Sequence, residues 1–157
     1  MRSVRRVEIG EKLPQIHLPS LAAGFDLPLR PAGRLANVIV TTHADCPACV
    51  EFVENLVSRI QVIRDWDAQL LVIVEGNGSP SLGNRWLDNG IRIATDPQQR
   101  LGPAGIPTPA VLVADQWGEL FVLEHAGTKH AFFSKDEIID WVRYLAIQCP
   151  ECQGEAL

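Results

Sequence analysis

The sequence predicts an α/β fold, a central mixed sheet with flanking helices in the order β-α-β then β-β-α, preceded by an N-terminal extended or hairpin extension. Three observations carry this. Leu35 to Thr42 (LANVIVTT) and Ala68 to Val74 (AQLLVIV) are β-branched apolar runs without clean alternation, the pattern of strands buried on both faces. Between them, Pro47 to Ile63 switches to helical spacing, which makes a βαβ unit. Further on, two short apolar runs joined by a turn sequence lead into a capped amphipathic stretch.

Each element follows from its residues. Val7 to Pro31 is rich in Pro, Gly and Leu and reads as extended segments and turns. In the Pro47–Ile63 helix, Val50, Val53, Leu56, Val57 and Ile60 form one stripe, while Glu51, Glu54, Asn55 and Ser58 face the other way. Glu75 to Gly83 (EGNGSPSLG) is a loop without the glycine spacing of a dinucleotide fingerprint or the lysine of a phosphate loop. Arg85 to Asn89 reads as a short helix, Ile91 to Ala94 as a short strand, and Pro97 to Leu101 as a helical turn broken by Gly102-Pro103-Ala104-Gly105. Ala110 to Ala114 and Leu120 to Glu124 are strands joined by Asp115-Gln116-Trp117-Gly118. The last helix starts at Ser134, with Glu137 where a capping box wants an acid; Ile138, Ile139, Trp141, Val142 and Leu145 form its stripe, and Pro150 ends it.

The length of 157 residues suits one domain, 1–157, with 1–34 as the extension and 149–157 as a short tail. A net charge of −5 argues against a general nucleic-acid binder, and Arg2, Arg5 and Arg6 read as a solvated tail. No apolar run approaches the roughly 18–20 residues of a membrane span. Residues 1–10 contain no apolar stretch of signal-peptide length, so the expectation is a cytoplasmic protein with no membrane partner.

The four cysteines form two close pairs, Cys46/Cys49 and Cys149/Cys152, which without an export signal read as redox or metal chemistry rather than structural staples. Cys46-Pro47-Ala48-Cys49 falls where a buried strand meets an amphipathic helix. A sulfur at a helix N-terminus lies near unpaired N–H groups and the positive end of the dipole, which favour thiolate. Pro47 suits the first helical position. Cys49, one turn into the helix, can reach back to close a disulfide, so Cys46 is expected to attack and Cys49 to resolve. Asp45 opposes the thiolate, and His43 offsets it when protonated. Taken alone, the motif leaves two inert buried thiols or half of a zinc site as alternatives.

The second signal is Gly105-Ile106-Pro107-Thr108, just before the strand at Ala110. With it the sequence resembles the thioredoxin superfamily, marked by CxxC at a strand-to-helix junction and a distant Ile/Val-Pro-Thr opening a later strand. The resemblance implies that the bond before Pro107 is cis and packs beside the two sulfurs. It also implies that Pro107 shields the dithiol from metal and that Ile106, with Thr108 beside it, lines the substrate groove, the Ile106 backbone pairing with an extended substrate. Ile9-Gly10-Glu11-Lys12-Leu13-Pro14 with Ile16 and Leu18-Pro19, Thr95-Asp96-Pro97, and Val113-Ala114-Asp115 through Gly118 are similar to the alkyl hydroperoxide reductase/thiol-specific antioxidant branch, which includes peroxiredoxins.

Three departures stand out. Asp45 replaces the aromatic residue common before the first cysteine, and Val40 replaces the buried acid six residues before it, leaving the proton acceptor for Cys49 unidentified. The peroxiredoxin pattern P-x-x-x-T-x-x-C fits neither register, because counting back from Cys46 gives Ile39 and His43, and from Cys49 gives Thr42 and Cys46.

Cys149-Pro150-Glu151-Cys152 lies beyond the last helix. A helix from Ser134 to Gln148 would carry Cys149 roughly 20 Å along its axis, so the two pairs are not expected to meet within one chain. A local disulfide, free thiols, an electron relay to a neighbouring subunit and a zinc clip between subunits all stay open. His17, His125 and His130 show no metal-ligand spacing, and Trp66, Trp86, Trp117 and Trp141 read as packing.

The function expected is thiol–disulfide exchange at Cys46 and Cys49, with no cofactor. The partners are protein or small-molecule thiols and disulfides and an external reductant, with a homodimer left open. The alternatives are a thiol peroxidase acting on hydroperoxides and a non-catalytic partner- or zinc-binding module of the same fold.

Overall fold

The computed structural model describes residues 5–21, 24–30, 33–44, 46–77, 86, 91–126 and 134–147. Along the chain these give β1 (His17–Pro19), β2 (Asp26–Pro28), β3 (Ala36–Thr42), α1 (Pro47–Val57), α2 (Ile60–Asp65), β4 (Ala68–Glu75), β5 (Arg92–Asp96), β6 (Ala110–Asp115), β7 (Leu120–His125) and α3 (Lys135–Ile147). The main sheet has the order β5-β4-β3-β6-β7. β3 and β4 are parallel, as are β4 and β5, while β6 runs antiparallel to both β3 and β7. The expected β-α-β then β-β-α arrangement of a mixed sheet is therefore present. The N-terminal extension contributes the β1–β2 hairpin, and Ser20 bridges to Ala94 on β5.

Every residue of β3 is buried, and its side chains divide by the period of a strand. Ala36, Val38 and Val40 join Val53 and Leu56 of α1, Ile63 of α2 and Ile138 and Val142 of α3 in one core layer. Ile39 faces the other way, with Leu71, Ile73 and Leu112 of the sheet against Leu13, Leu18, Leu27 and Leu29 of the N-terminal region and Leu101 and Ile106. Full burial of each such side chain contributes roughly 1.5–3 kcal/mol. This explains the unalternating apolar runs in the sequence, since both faces of the central strands are covered.

The helix expected over 47–63 is two helices. Ser58 ends α1: its hydroxyl donates to the Asn55 carbonyl at 2.6 Å, and its N–H donates to Glu54 O. That local bond competes with the regular ladder although the apolar period continues past it. The buried stripe of α1 is Cys49, Phe52, Val53 and Leu56, with Val50, Val57 and Ile60 only partly covered. Turns occupy 97–98 and 101–105 where a helical turn was expected, with Gln99 at φ 52°. Ser134 caps α3 as expected, its Oγ accepting from Glu137 N–H at 3.3 Å. Trp141 stays partly exposed between Phe121 and Tyr144, whereas Trp86 is buried. Of the expected helix at Arg85–Asn89, only Trp86 is among the described residues.

The N-terminal segment runs beside β7 and the 101–105 turns. Leu13 N–H donates to Gly118 O, Gly10 N–H to Leu120 O, and Val7 N–H to Gly105 O at 3.0 Å. Gly105 has φ +83°, and a Cβ there would press on the Arg5 carbonyl oxygen, so this crossing requires glycine.

Candidate active site

The parallel strands β3, β4 and β5 end at Thr42, Glu75 and Asp96, and the CPAC motif follows directly from the first of these ends. Cys46 is the N-cap of α1, with φ −136° and ψ 96°, and Pro47 holds the first helical position. Proline costs nothing there because the first N–H groups of a helix have no intrahelical partner. The Cys46 sulfur accepts from the Cys49 N–H at 3.1 Å. Cys46 and Cys49 are joined in a disulfide with a Cα–Cα distance of 5.2 Å, inside the span of roughly 4.4–6.8 Å that the bond tolerates. Both residues are buried, at 3% and 1% exposure. No acidic residue occupies the first turn of α1, so no helix carboxylate offsets the positive end of the dipole beside the sulfur.

His43 is the first residue past β3. Its Nδ1 lies 2.9 Å from Oε2 of Glu75, the last residue of β4. The sheet makes this pair: Thr42 is in register with Val74, which brings the next residue of each strand side by side. Sequence reasoning missed Glu75, which is 32 residues away and visible only once the register is known.

The second segment that the sequence singled out, Gly105 to Thr108, packs at the same end of the sheet. Thr41, one residue before the end of β3, pairs with Ala110, and its hydroxyl donates to the Pro107 carbonyl at 2.8 Å. Here one expectation is corrected. The cis peptide bond lies between Thr108 and Pro109, and the bond before Pro107 is not cis. The Ile106 N–H donates to Leu101 O at 3.0 Å, and the residue is 3% exposed. The Pro107 carbonyl is held by Thr41, and the Pro109 carbonyl accepts from Ala126 N–H at 2.9 Å. Thr108 is half-buried, and among the described residues no hydrogen bond reaches its backbone N–H or C=O. Tertiary bonding thus consumes the acceptors on either side and leaves Thr108 open. The sequence carries two X-Pro bonds two residues apart, and nothing local separates them.

Asp45 and the Cys149/Cys152 pair lie outside the described residues, as does His130. His17 and His125 are exposed. Among the described residues, no group of three or more His, Cys, Asp or Glu side chains could hold a metal ion. No helix among them is long and apolar enough to cross a membrane.

No family model and no curated protein matches the sequence. Solved structures do match. Peroxidoxin BcpB from Mycobacterium tuberculosis is similar with a TM-score of 0.72 at 13% identity, over 92% of this chain and 100% of that one. A thiol peroxidase from Chromobacterium violaceum gives 0.66 at 19% identity, over 91% and 90%. The thioredoxin domain of a thiol-disulfide oxidoreductase from Bacteroides vulgatus gives 0.65 at 14% identity, over 87% and 99%. The chain shares their thioredoxin-like fold.

Proposed function

We propose that the protein is a thiol–disulfide oxidoreductase in which Cys46 attacks and Cys49 resolves. The observation that carries this is the Cys46–Cys49 disulfide across the first turn of α1, with the Cys46 sulfur facing the helix N-terminus. In the dithiol form, the Cys49 N–H and the positive end of α1 favour the Cys46 thiolate. Its ionisation is expected below the value of about 8.5 of a free thiol. That thiolate attacks a substrate disulfide, forming a mixed disulfide and releasing one substrate thiolate. Cys49 loses its proton and attacks the Cys46 sulfur, which closes the internal disulfide and expels the second substrate thiol. An external dithiol then restores the pair by the same exchange in reverse.

The groove for an extended substrate falls at Thr108, whose backbone is open beside the cis bond, with Ile106 and Pro107 packed behind it. The substrates are disulfides of proteins or small thiols. A second reading, a thiol peroxidase that reduces hydroperoxides at Cys46, is favoured by the structural similarity to the thiol peroxidase from Chromobacterium violaceum. In that reading the Cys46 sulfenic acid condenses with Cys49.

Insulin reduction with dithiothreitol and peroxide consumption, each run on the native protein and on Cys46→Ser, separate these readings. Insulin turnover that vanishes in the variant supports exchange. Peroxide turnover without insulin turnover supports the peroxidase, and inactivity of the native protein in both assays overturns catalysis in favour of a binding module.

A further inference from the structure

We infer that the protein holds a second ligand site, for a small organic phosphate, at the end of the sheet opposite the cysteines. A cavity of about 300 Å³ lies there, with the guanidiniums of Arg34, Arg64 and Arg92 on its wall beside the apolar side chains of Ile60, Leu70 and Ile91. The topology makes it. β4 begins at Ala68, but β5 joins it only at Leu71, opposite Arg92. The edge of β4 over its first three residues is therefore not covered by β5 and forms part of the wall. α2 packs against β4 and presents Ile60 and Arg64, one helical turn apart on the same face. Arg34 arrives on the segment entering β3, where the next residue, Leu35, donates its N–H to the Asp67 carbonyl at 2.9 Å. β3 runs seven residues from this end to Thr42, so the cavity stands roughly 20 Å from the CPAC motif. A ligand bound there does not depend on the redox reading.

The chemistry of the wall selects the ligand. In a chain of net charge −5, three guanidiniums line one cavity, and among the described residues no carboxylate joins them. A guanidinium stays charged at any working pH and offers a planar fork of donors that matches phosphate oxygens. Arg92 is exposed, and its side chain has no hydrogen bond or ion pair among the described residues. Arg34 gives Nη1 to Asp67 Oδ1 at 2.9 Å, which leaves it further N–H groups, and Arg64 is engaged as well. Three positive charges on the wall exceed what a single carboxylate neutralises, whereas a phosphate monoester carries about −1.5 to −2 at pH 7. Leu70 and Ile91 are buried and give the cavity an apolar side that inorganic phosphate would leave unused. The volume is at the small end of the roughly 300–1,000 Å³ typical of ligand sites, so the organic body is about one ring in size.

The test is isothermal titration calorimetry of the full chain with phenyl phosphate at neutral pH. One molecule is expected to bind per chain with a Kd of about 1 mM, weakening as salt screens the exposed charges. Inorganic phosphate, which lacks the ring, and benzoate, which lacks the second charge, are each expected to bind about tenfold more weakly. Arg92→Gln and Arg64→Gln should each weaken phenyl phosphate about fivefold or more. Arg100→Gln, which removes the same charge beyond the other end of β5, should leave the Kd within about twofold. All three arginines are exposed, so the variants keep the core closed, and an unchanged urea midpoint checks this. Absence of saturable phenyl phosphate binding overturns the inference, as does an equal loss in Arg100→Gln and Arg92→Gln. Benzoate or inorganic phosphate binding as tightly as phenyl phosphate overturns the assignment to an organic phosphate. The readout needs no turnover, so its failure leaves the proposed thiol chemistry standing, and insulin inactivity leaves this site standing.

Discussion

Strand β3 has two ends made of similar polar residues and put to different uses. At the start, Asn37 is buried and its side chain donates to the Asp115 carbonyl at 3.3 Å and accepts from Gln69. The Asp115 carboxylate in turn accepts from the N–H groups of Trp117 and Glu119, both at 2.9 Å, closing the β6–β7 turn. Every polar group named there has a partner, and the arrangement contains nothing reactive. At the other end, Thr41 is spent on the Pro107 carbonyl, but the groups just beyond it are His43, the Cys46–Cys49 disulfide and the open backbone of Thr108. The first end joins strands; the second gathers titratable and redox-active atoms from three separate stretches of chain. The difference follows from topology, because the parallel strands all finish at the same edge and the loops leaving them converge there.

The sharpest way to break the comparison is at the sulfur. Cys46→Ser is expected to lower disulfide-reductase turnover by more than about a hundredfold, since no other thiolate stands at a helix N-terminus among the described residues. Cys49→Ser keeps the attack but loses the resolving step, so it should accumulate a mixed disulfide with substrate, seen as a mass increase on non-reducing gels or by mass spectrometry. Turnover retained in Cys46→Ser places the chemistry elsewhere.

Asn37→Ala probes the closed end. It removes one buried and one part-buried hydrogen bond and is expected to cost about 2 kcal/mol, read from urea denaturation, while turnover per folded molecule stays unchanged. Thr41→Val is the counterpart at the open end. It is close in shape, deletes the donor to the Pro107 carbonyl, and should cost about 1 kcal/mol. Unlike Asn37→Ala, it should also raise KM for a protein disulfide several-fold, because the turn bearing Thr108 loses its anchor. Equal effects of the two variants on KM would mean that the ends are not functionally distinct. The smallest change expected lies at neither end: Ser134→Ala removes the α3 cap, costs about 1 kcal/mol, and leaves KM untouched.

Much of this was legible in the residues. The both-face burial of β3 and β4 was readable from runs without alternation, and the Ser134 cap from one hydroxyl three places before Glu137. Cys46 at the head of α1 was readable because strand, motif and helical period adjoin in sequence. The break at Ser58 was not legible, since a hydroxyl bonded back to Asn55 interrupts a pattern that otherwise continues. The position of the cis bond was missed for another reason. Ile106-Pro107 and Thr108-Pro109 are alike in local preference, and what distinguishes their surroundings is contact with Leu101, Thr41 and Ala126.

The sequence by itself determined the element types, the two buried faces of the central strands, and the seat of the cysteine pair. All of these depend on residues a few places apart, where side-chain period and capping chemistry act directly. The tertiary structure alone decided which proline follows the cis bond, that the Ile106 N–H is bonded to Leu101 while that of Thr108 is not bonded among the described residues, and that Glu75 meets His43. Those depend on strand register and on hydrogen bonds between residues distant along the chain, and no local preference encodes either.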